Sequence, residues 1–135
     1  MSNPITVAII DDEPNAIVTI ELILKEFCPN LHIVTTANTV DQAWELIKQH
    51  QPDLVFLDVD MPRGSGFDLL ERFPIRKFDV IFISAYSKFA AKASEYNVFA
   101  YLTKPVDIDL LRQTCESYRD YRVAGNCKPF RLKPK

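Results

Sequence analysis

No run in the 135-residue chain approaches the ~20 apolar residues that a membrane-crossing helix needs. The opening MSNPITV also lacks the charged segment and apolar core of an export signal. The expectation is a cytoplasmic protein with no membrane partner. A surplus of one charge is missing too, since 16 basic side chains face 18 acidic ones for a formal net charge of −2. Without a basic footprint, direct contact between this segment and nucleic acid is not expected. Cys28, Cys115 and Cys127 are odd in number, widely spaced and form no C-x-x-C pair, which argues against a disulfide framework or zinc site and leaves reduced thiols. Internal repeats are absent as well. What remains is one domain of ordinary size, long enough to bury a core without staples.

What the chain does have is alternation. Near-continuous apolar runs rich in β-branched residues span Ile5 to Ile10, Leu31 to Thr35, Leu54 to Leu57, Val80 to Ile83 and Val98 to Leu102, as expected of strands covered on both faces. Between them the period changes to that of helices: Ile17, Ile20, Leu24 and Phe27; Val40, Ala43, Trp44 and Ile47; Ile108, Leu111, Cys115 and Tyr118. Pro14 suits the first turn of the first helix, and Thr39 or Asn38 can cap the second. Gly64 and Gly66 relax the backbone ahead of a short helix from Phe67 to Phe73, and a fourth, weakly apolar helix from Lys88 to Glu95 is expected to be loosely anchored. Trp44 reads as a core or half-exposed helix residue, and His32 and His50 as solvated or capping groups.

Strands alternating with helices through right-handed crossovers imply an α/β fold, a doubly wound five-stranded parallel sheet of the flavodoxin-like (βα)5 type, strand order 2-1-3-4-5. Ligands of such sheets bind at the strand C-termini, where this chain carries Asp11 and Asp12 after the first strand, Asp58 after the third, Ser84 after the fourth and Lys104 after the fifth. The strand order sets Asp11 and Asp12 beside Asp58. Two unit charges ~4 Å apart repel by about 4 kcal/mol at an effective dielectric of 20, so the cluster calls for a cation or a raised pKa. Oxygen ligands around an open site, with no His or Cys nearby, favour Mg²⁺.

The Asp11-Asp12 pair, the segment Asp58-Val59-Asp60-Met61-Pro62 followed by Gly66, then Ser84 and Lys104-Pro105, each at its element boundary, together resemble the receiver domain of bacterial two-component response regulators over about residues 4 to 122. The resemblance implies that Asp58 is the phosphoacceptor for a sensor histidine kinase or phosphotransfer protein. It implies Mg²⁺ held by Asp11, Asp12, Asp58 and the backbone carbonyl of Asp60, and Lys104 paired with a phosphate oxygen or, at rest, with Asp58. It further implies that Ser84 turns toward the phosphate and Tyr101 rotates inward, remodelling the face of helix 4, strand 5 and helix 5. Lys104-Pro105 is a cis peptide in that family. Asp60 and Tyr86, two residues beyond Asp58 and Ser84, flank the path of attacking water, and Tyr86 is expected to slow hydrolysis.

The segment from Ser84 to Asp107 is also similar to receivers that precede LytTR-type DNA-binding domains, which implies a transcriptional output. Residues 1–123 are read as the receiver and 124–135 as a linker or the start of an output domain, with a frayed terminus as the alternative. On this reading DNA is reached only through an output domain absent from this chain, phosphorylation can bring two copies together, and the domain is a signalling switch rather than an enzyme. Two other readings stand beside it. In a haloacid-dehalogenase-like phosphatase, Asp58 and Asp60 would be nucleophile and acid/base, but there the second acidic pair follows the nucleophile, whereas here it precedes. A receiver-like docking module that is never phosphorylated would not need every site residue to be present.

Overall fold

Residues 4–125 and 129–132 are described by the computed structural model. Five strands, β1 (Ile5–Ile10), β2 (Leu31–Ala37), β3 (Leu54–Leu57), β4 (Asp79–Ser84) and β5 (Ala100–Thr103), form one parallel sheet. Their order is β2-β1-β3-β4-β5, the 2-1-3-4-5 arrangement expected from the sequence. The connections carry α1 (Pro14–Phe27), α2 (Val40–His50), α3 (Gly66–Glu71), α4 (Ala90–Ser94) and α5 (Ile108–Val123).

Side chains alternate across a strand, so the unbroken apolar run of β1 serves two cores at once. Ile5, Val7 and Ile9 pack with α1 and α5 around Ile20, Leu24, Leu111 and Tyr118. Ala8 and Ile10 pack on the opposite face with Val40, Ala43, Ile47, Phe67 and Leu70. β3 splits in the same way, with Leu54 and Phe56 in the first core and Val55 and Leu57 in the second. At the N-terminal edge of the sheet Asp53 Oδ2 accepts from Thr6 N at 2.9 Å and Thr6 Oγ1 at 3.0 Å, pinning the β1–β3 register.

Local signals account for most boundaries. Pro14 occupies the first turn of α1, where a missing N–H costs nothing. Thr39 rather than Asn38 caps α2, its side chain accepting from Gln42 N at 3.1 Å. α3 carries a full capping box between Ser65 and Asp68 and ends at Glu71, two residues short of the expected Phe73. The expected fourth helix is split, with a 3₁₀ turn at Ser87–Phe89 before the five-residue α4, and Ala93 is the residue of α4 that is buried. β2 runs two residues beyond Thr35, and β5 starts two residues after Val98. Trp44 is half-buried, with Lys48 Nζ 3.2 Å from its ring centroid, and His32 and His50 are exposed.

Two short antiparallel ladders have no counterpart in the periodicity. Asp60–Met61 pairs with Gly64–Ser65 after β3, turning through Arg63 at φ 65° and Gly64 at φ 152°. Phe130–Arg131 pairs with Ile75–Arg76, so this part of the C-terminal segment lies on the domain instead of fraying from it. Cys28 and Cys115 are buried free thiols lining a shared cavity between α1 and α5, while Cys127 lies outside the described residues. No described helix is long and apolar enough to cross a membrane.

Candidate phosphoacceptor and metal site

The sheet itself positions the acidic residues. Asp11 N donates to the Ala37 carbonyl and Asp58 N to the Ile10 carbonyl, both at 3.0 Å, which carries the ladder one residue past each strand. Asp11 and Asp58 are therefore buried, at 1% and 4% exposure, though both are acidic. Asp12 is half-buried and Glu13 exposed. One carboxylate oxygen from each of Asp11, Asp12, Glu13 and Asp58 falls within 4.8 Å of the others. Asp11 Oδ1 accepts from Glu13 N at 2.9 Å, turning the chain into α1.

Lys104 closes the site from β5. Its backbone N donates to the Ser84 carbonyl at 2.7 Å, and the Lys104–Pro105 peptide is cis. Its Nζ lies 2.9 Å from Asp11 Oδ2, 3.1 Å from Glu13 Oε1 and 3.6 Å from Asp58 Oδ2. The pairing with Asp58 expected from the resemblance is present, yet Asp58 is the most distant of the three partners. Glu13 is not among the site residues expected from the sequence. Its place in the Asp11-Asp12-Glu13 run was the available signal, and the fold turns that run into one cluster.

Burial first, then repulsion by Asp11, push the Asp58 carboxyl up to about 7 against the opposing charge of Lys104. Burial also raises Asp11, with Glu13 N and Lys104 opposing. Burial works against the ammonium of Lys104, but its contacts with Asp11, Glu13 and Asp58 prevail and hold it above the ordinary lysine value. An all-oxygen, electrostatically frustrated donor set fits a hard divalent cation. A cation held at this cluster would compete with protons for Asp58. Stabilisation by Mg²⁺ is accordingly expected to grow from about pH 5 to about pH 8, as the carboxyl gives up its proton, and melting curves with and without Mg²⁺ at each pH would show it.

Gly66 is the first residue of α3, and its φ is unremarkable, so the expectation that it relaxes the backbone is replaced by one about space. A Cβ there would lie 2.5 Å from the Asp58 carbonyl oxygen and 2.9 Å from the Phe82 ring. Its N donates to the Val59 carbonyl at 2.8 Å. Met61 is buried below this loop, whereas Asp60 is exposed and its carboxylate is not in the acidic cluster.

Ser84, the last residue of β4, is fully buried, and its Oγ accepts from Tyr86 N at 3.1 Å. The Tyr86 carbonyl in turn accepts the hydroxyl of Tyr101. Tyr101 is half-buried with its ring centroid 6.0 Å from that of Phe82. The Tyr86 ring is 45% exposed and meets Phe89 edge-on at 6.1 Å. One hydrogen-bonded chain therefore joins Ser84, the Tyr86 backbone and Tyr101.

A doubly wound parallel sheet with a buried carboxylate cluster and a lysine at its C-terminal edge defines an α/β domain with an acidic site in its ligand crevice. Residues 7–116 match the response regulator receiver domain, and the chain belongs to that family. It is similar to the sensory transduction protein LytT of Bacillus subtilis, 35% identical over 115 residues that cover 84% of this chain and 47% of that protein. The transcriptional regulatory protein BtsR of Escherichia coli is 33% identical over 119 residues, 87% of this chain and 49% of its own. The chain spans about half the length of these curated relatives. Among solved structures, the receiver domain of AraT from Geobacillus stearothermophilus superposes with a TM-score of 0.76 at 27% identity, covering 90% of this chain and 97% of that one. TrrA from Thermotoga maritima, solved in complex with Mg²⁺ and BeF, gives 0.72 at 26% identity, covering 84% and 97%.

Proposed function

We propose that Asp58 is the phosphoacceptor, that a sensor histidine kinase or phosphotransfer protein in the cytoplasm supplies the phosphoryl group, and that the domain controls transcription through a LytTR-type output. The observation that carries this reading is the buried Asp58 carboxylate, clustered with those of Asp11, Asp12 and Glu13 and with the Lys104 ammonium 3.6 Å from it. Asp11, Asp12, Asp58 and the Asp60 carbonyl would hold Mg²⁺, which when bound neutralises charge on the transferring phosphoryl group. A carboxylate oxygen of Asp58 attacks phosphorus, the bond from phosphorus to the donor imidazole nitrogen breaks, and an aspartyl phosphate results. Lys104, already charged and poised between three carboxylates, can swing to a phosphate oxygen.

Propagation follows from the hydrogen-bonded chain. When the Ser84 hydroxyl turns to the phosphate, Tyr86 N loses its acceptor, and the backbone whose carbonyl holds Tyr101 can shift. Tyr101 then has reason to move, and the face made by α4, β5 and α5 changes with it. That face is also where two copies would pair.

Addition of Mg²⁺ and beryllofluoride tests the reading, with backbone amide spectra recorded for wild type and Asp58→Ala. Shifts around Asp58, Ser84 and Tyr101 in wild type alone support it, and silence in both would favour the docking module instead. Lifetime is a separate question: Tyr86→Ala is expected to speed loss of the phosphoryl group by about tenfold through easier entry of water, and an unchanged dephosphorylation rate would remove Tyr86 from that role.

A further inference from the structure

The segment Pro129–Leu132 lies against the loop between α3 and β4. Ile75 pairs with Arg131 and Arg76 with Phe130, and Leu132 N donates to the Pro74 carbonyl at 2.9 Å. The Arg76 guanidinium carbon sits 5.0 Å from the Phe130 ring centroid and 5.8 Å from that of Phe78. Arg76 is only 3% exposed, which is rare for an arginine. Its Nε has no hydrogen-bond partner among the described residues, and its NH2 group donates to the Asn97 carbonyl at 3.0 Å. Asp79 provides the neighbouring negative charge. Asn97, at φ 54°, forms the turn from α4 into β5.

We propose that Pro129–Leu132 is a strap docked by strand addition on Ile75–Arg76, and that movement of the α4–β5 turn releases it, so the chain leaving the domain reads the switch through Arg76. The coupling half rests on the function proposed above; the docking half stands on the contacts alone. Arg76 is the joint. Withdrawing the Asn97 carbonyl would leave a buried cation short of an acceptor when its Nε already has none, a costly arrangement. Water reaches the guanidinium once Phe130 lifts, and lifting Phe130 breaks the ladder. A two-residue ladder with one aromatic contact is held weakly enough for a single lost hydrogen bond to shift it. α4 is a short helix whose one buried residue is Ala93, which leaves it able to shift and carry its turn into β5.

Trypsin gives a direct readout on the full 135-residue chain. The Arg131–Leu132 bond lies at the end of the docked ladder, whereas Lys128 and Lys133 both precede proline and resist cleavage. Phe130→Ala is expected to accelerate clipping after Arg131 by about tenfold, and Phe130→Tyr to restore protection. With Mg²⁺ and beryllofluoride, clipping should accelerate in wild type and stay slow in Asp58→Ala. Equal clipping of wild type and Phe130→Ala would overturn the docking. Amide shifts at Asp58 without faster clipping would overturn the release while leaving the phosphoacceptor reading intact. Absence of any shift at Asp58 would count against that reading and remove the release with it, while the Phe130 comparison would still decide the docking.

Discussion

Asp58→Asn is expected to accept no phosphoryl group from a histidine kinase or a small acyl phosphate, and at the same time to unfold less readily than wild type in metal-free buffer above neutral pH. The two effects share one cause. Asp58 is held near 7 in the folded protein against 3.8 ordinarily, so between these values the folded state binds the proton more tightly than the unfolded state does. Stability contributed by the protonated carboxyl is complete below the lower value and lost as pH rises through the upper one. Three pKa units correspond to about 4 kcal/mol as an upper bound, and Lys104 shares the site, so a gain of about 1–3 kcal/mol at about pH 8 is expected for the amide. The gain should shrink toward about pH 5, where wild type already carries the proton. Urea unfolding at both values, beside phosphoryl incorporation, separates this outcome from a merely structural role, for which function would be lost without any gain in stability. Wild-type stability would thus be given up at the carboxylate that is proposed to react.

Gly66→Ala is expected to cost about 3 kcal/mol, at the upper end for overpacking a core, and to disturb the acidic site with it. The added methyl would meet the Asp58 carbonyl oxygen at 2.5 Å, the Phe82 ring at 2.9 Å and Leu57 at 3.0 Å. None of these is the free end of a flexible chain: one is backbone and two are buried core. Relief by moving α3 outward would pull on the Val59 carbonyl that accepts from Gly66 N, and hence on the loop that follows Asp58. Gly125→Ala serves as the contrast. It has open space around its Cβ position and only a left-handed φ of +78° to pay for, about 1 kcal/mol. If the two variants melted alike, steric exclusion beside Asp58 would not be the reason for glycine at position 66.

The sequence by itself determined the strands, the helices between them and the five strand-end residues, because each depends on local information, and the crossover rules then gave the strand order. Continuous β-branched apolar runs and period-3.6 patterns choose the elements, and parallel strands bring their C-terminal ends to one edge whatever the details. Thr39 and Pro14 likewise act within one turn of their own helices. Only the tertiary structure decided what depends on distance between elements. It drew Lys104 nearer to Asp11 and Glu13 than to Asp58, since a long flexible ammonium settles where the summed field of three carboxylates is strongest, a sum that no spacing along the chain encodes. It gave Gly66 a packing role where the sequence suggested a conformational one. It also laid Phe130 on Arg76: a two-residue ladder carries no readable periodicity, and the partner that buries the arginine lies more than fifty residues away along the chain.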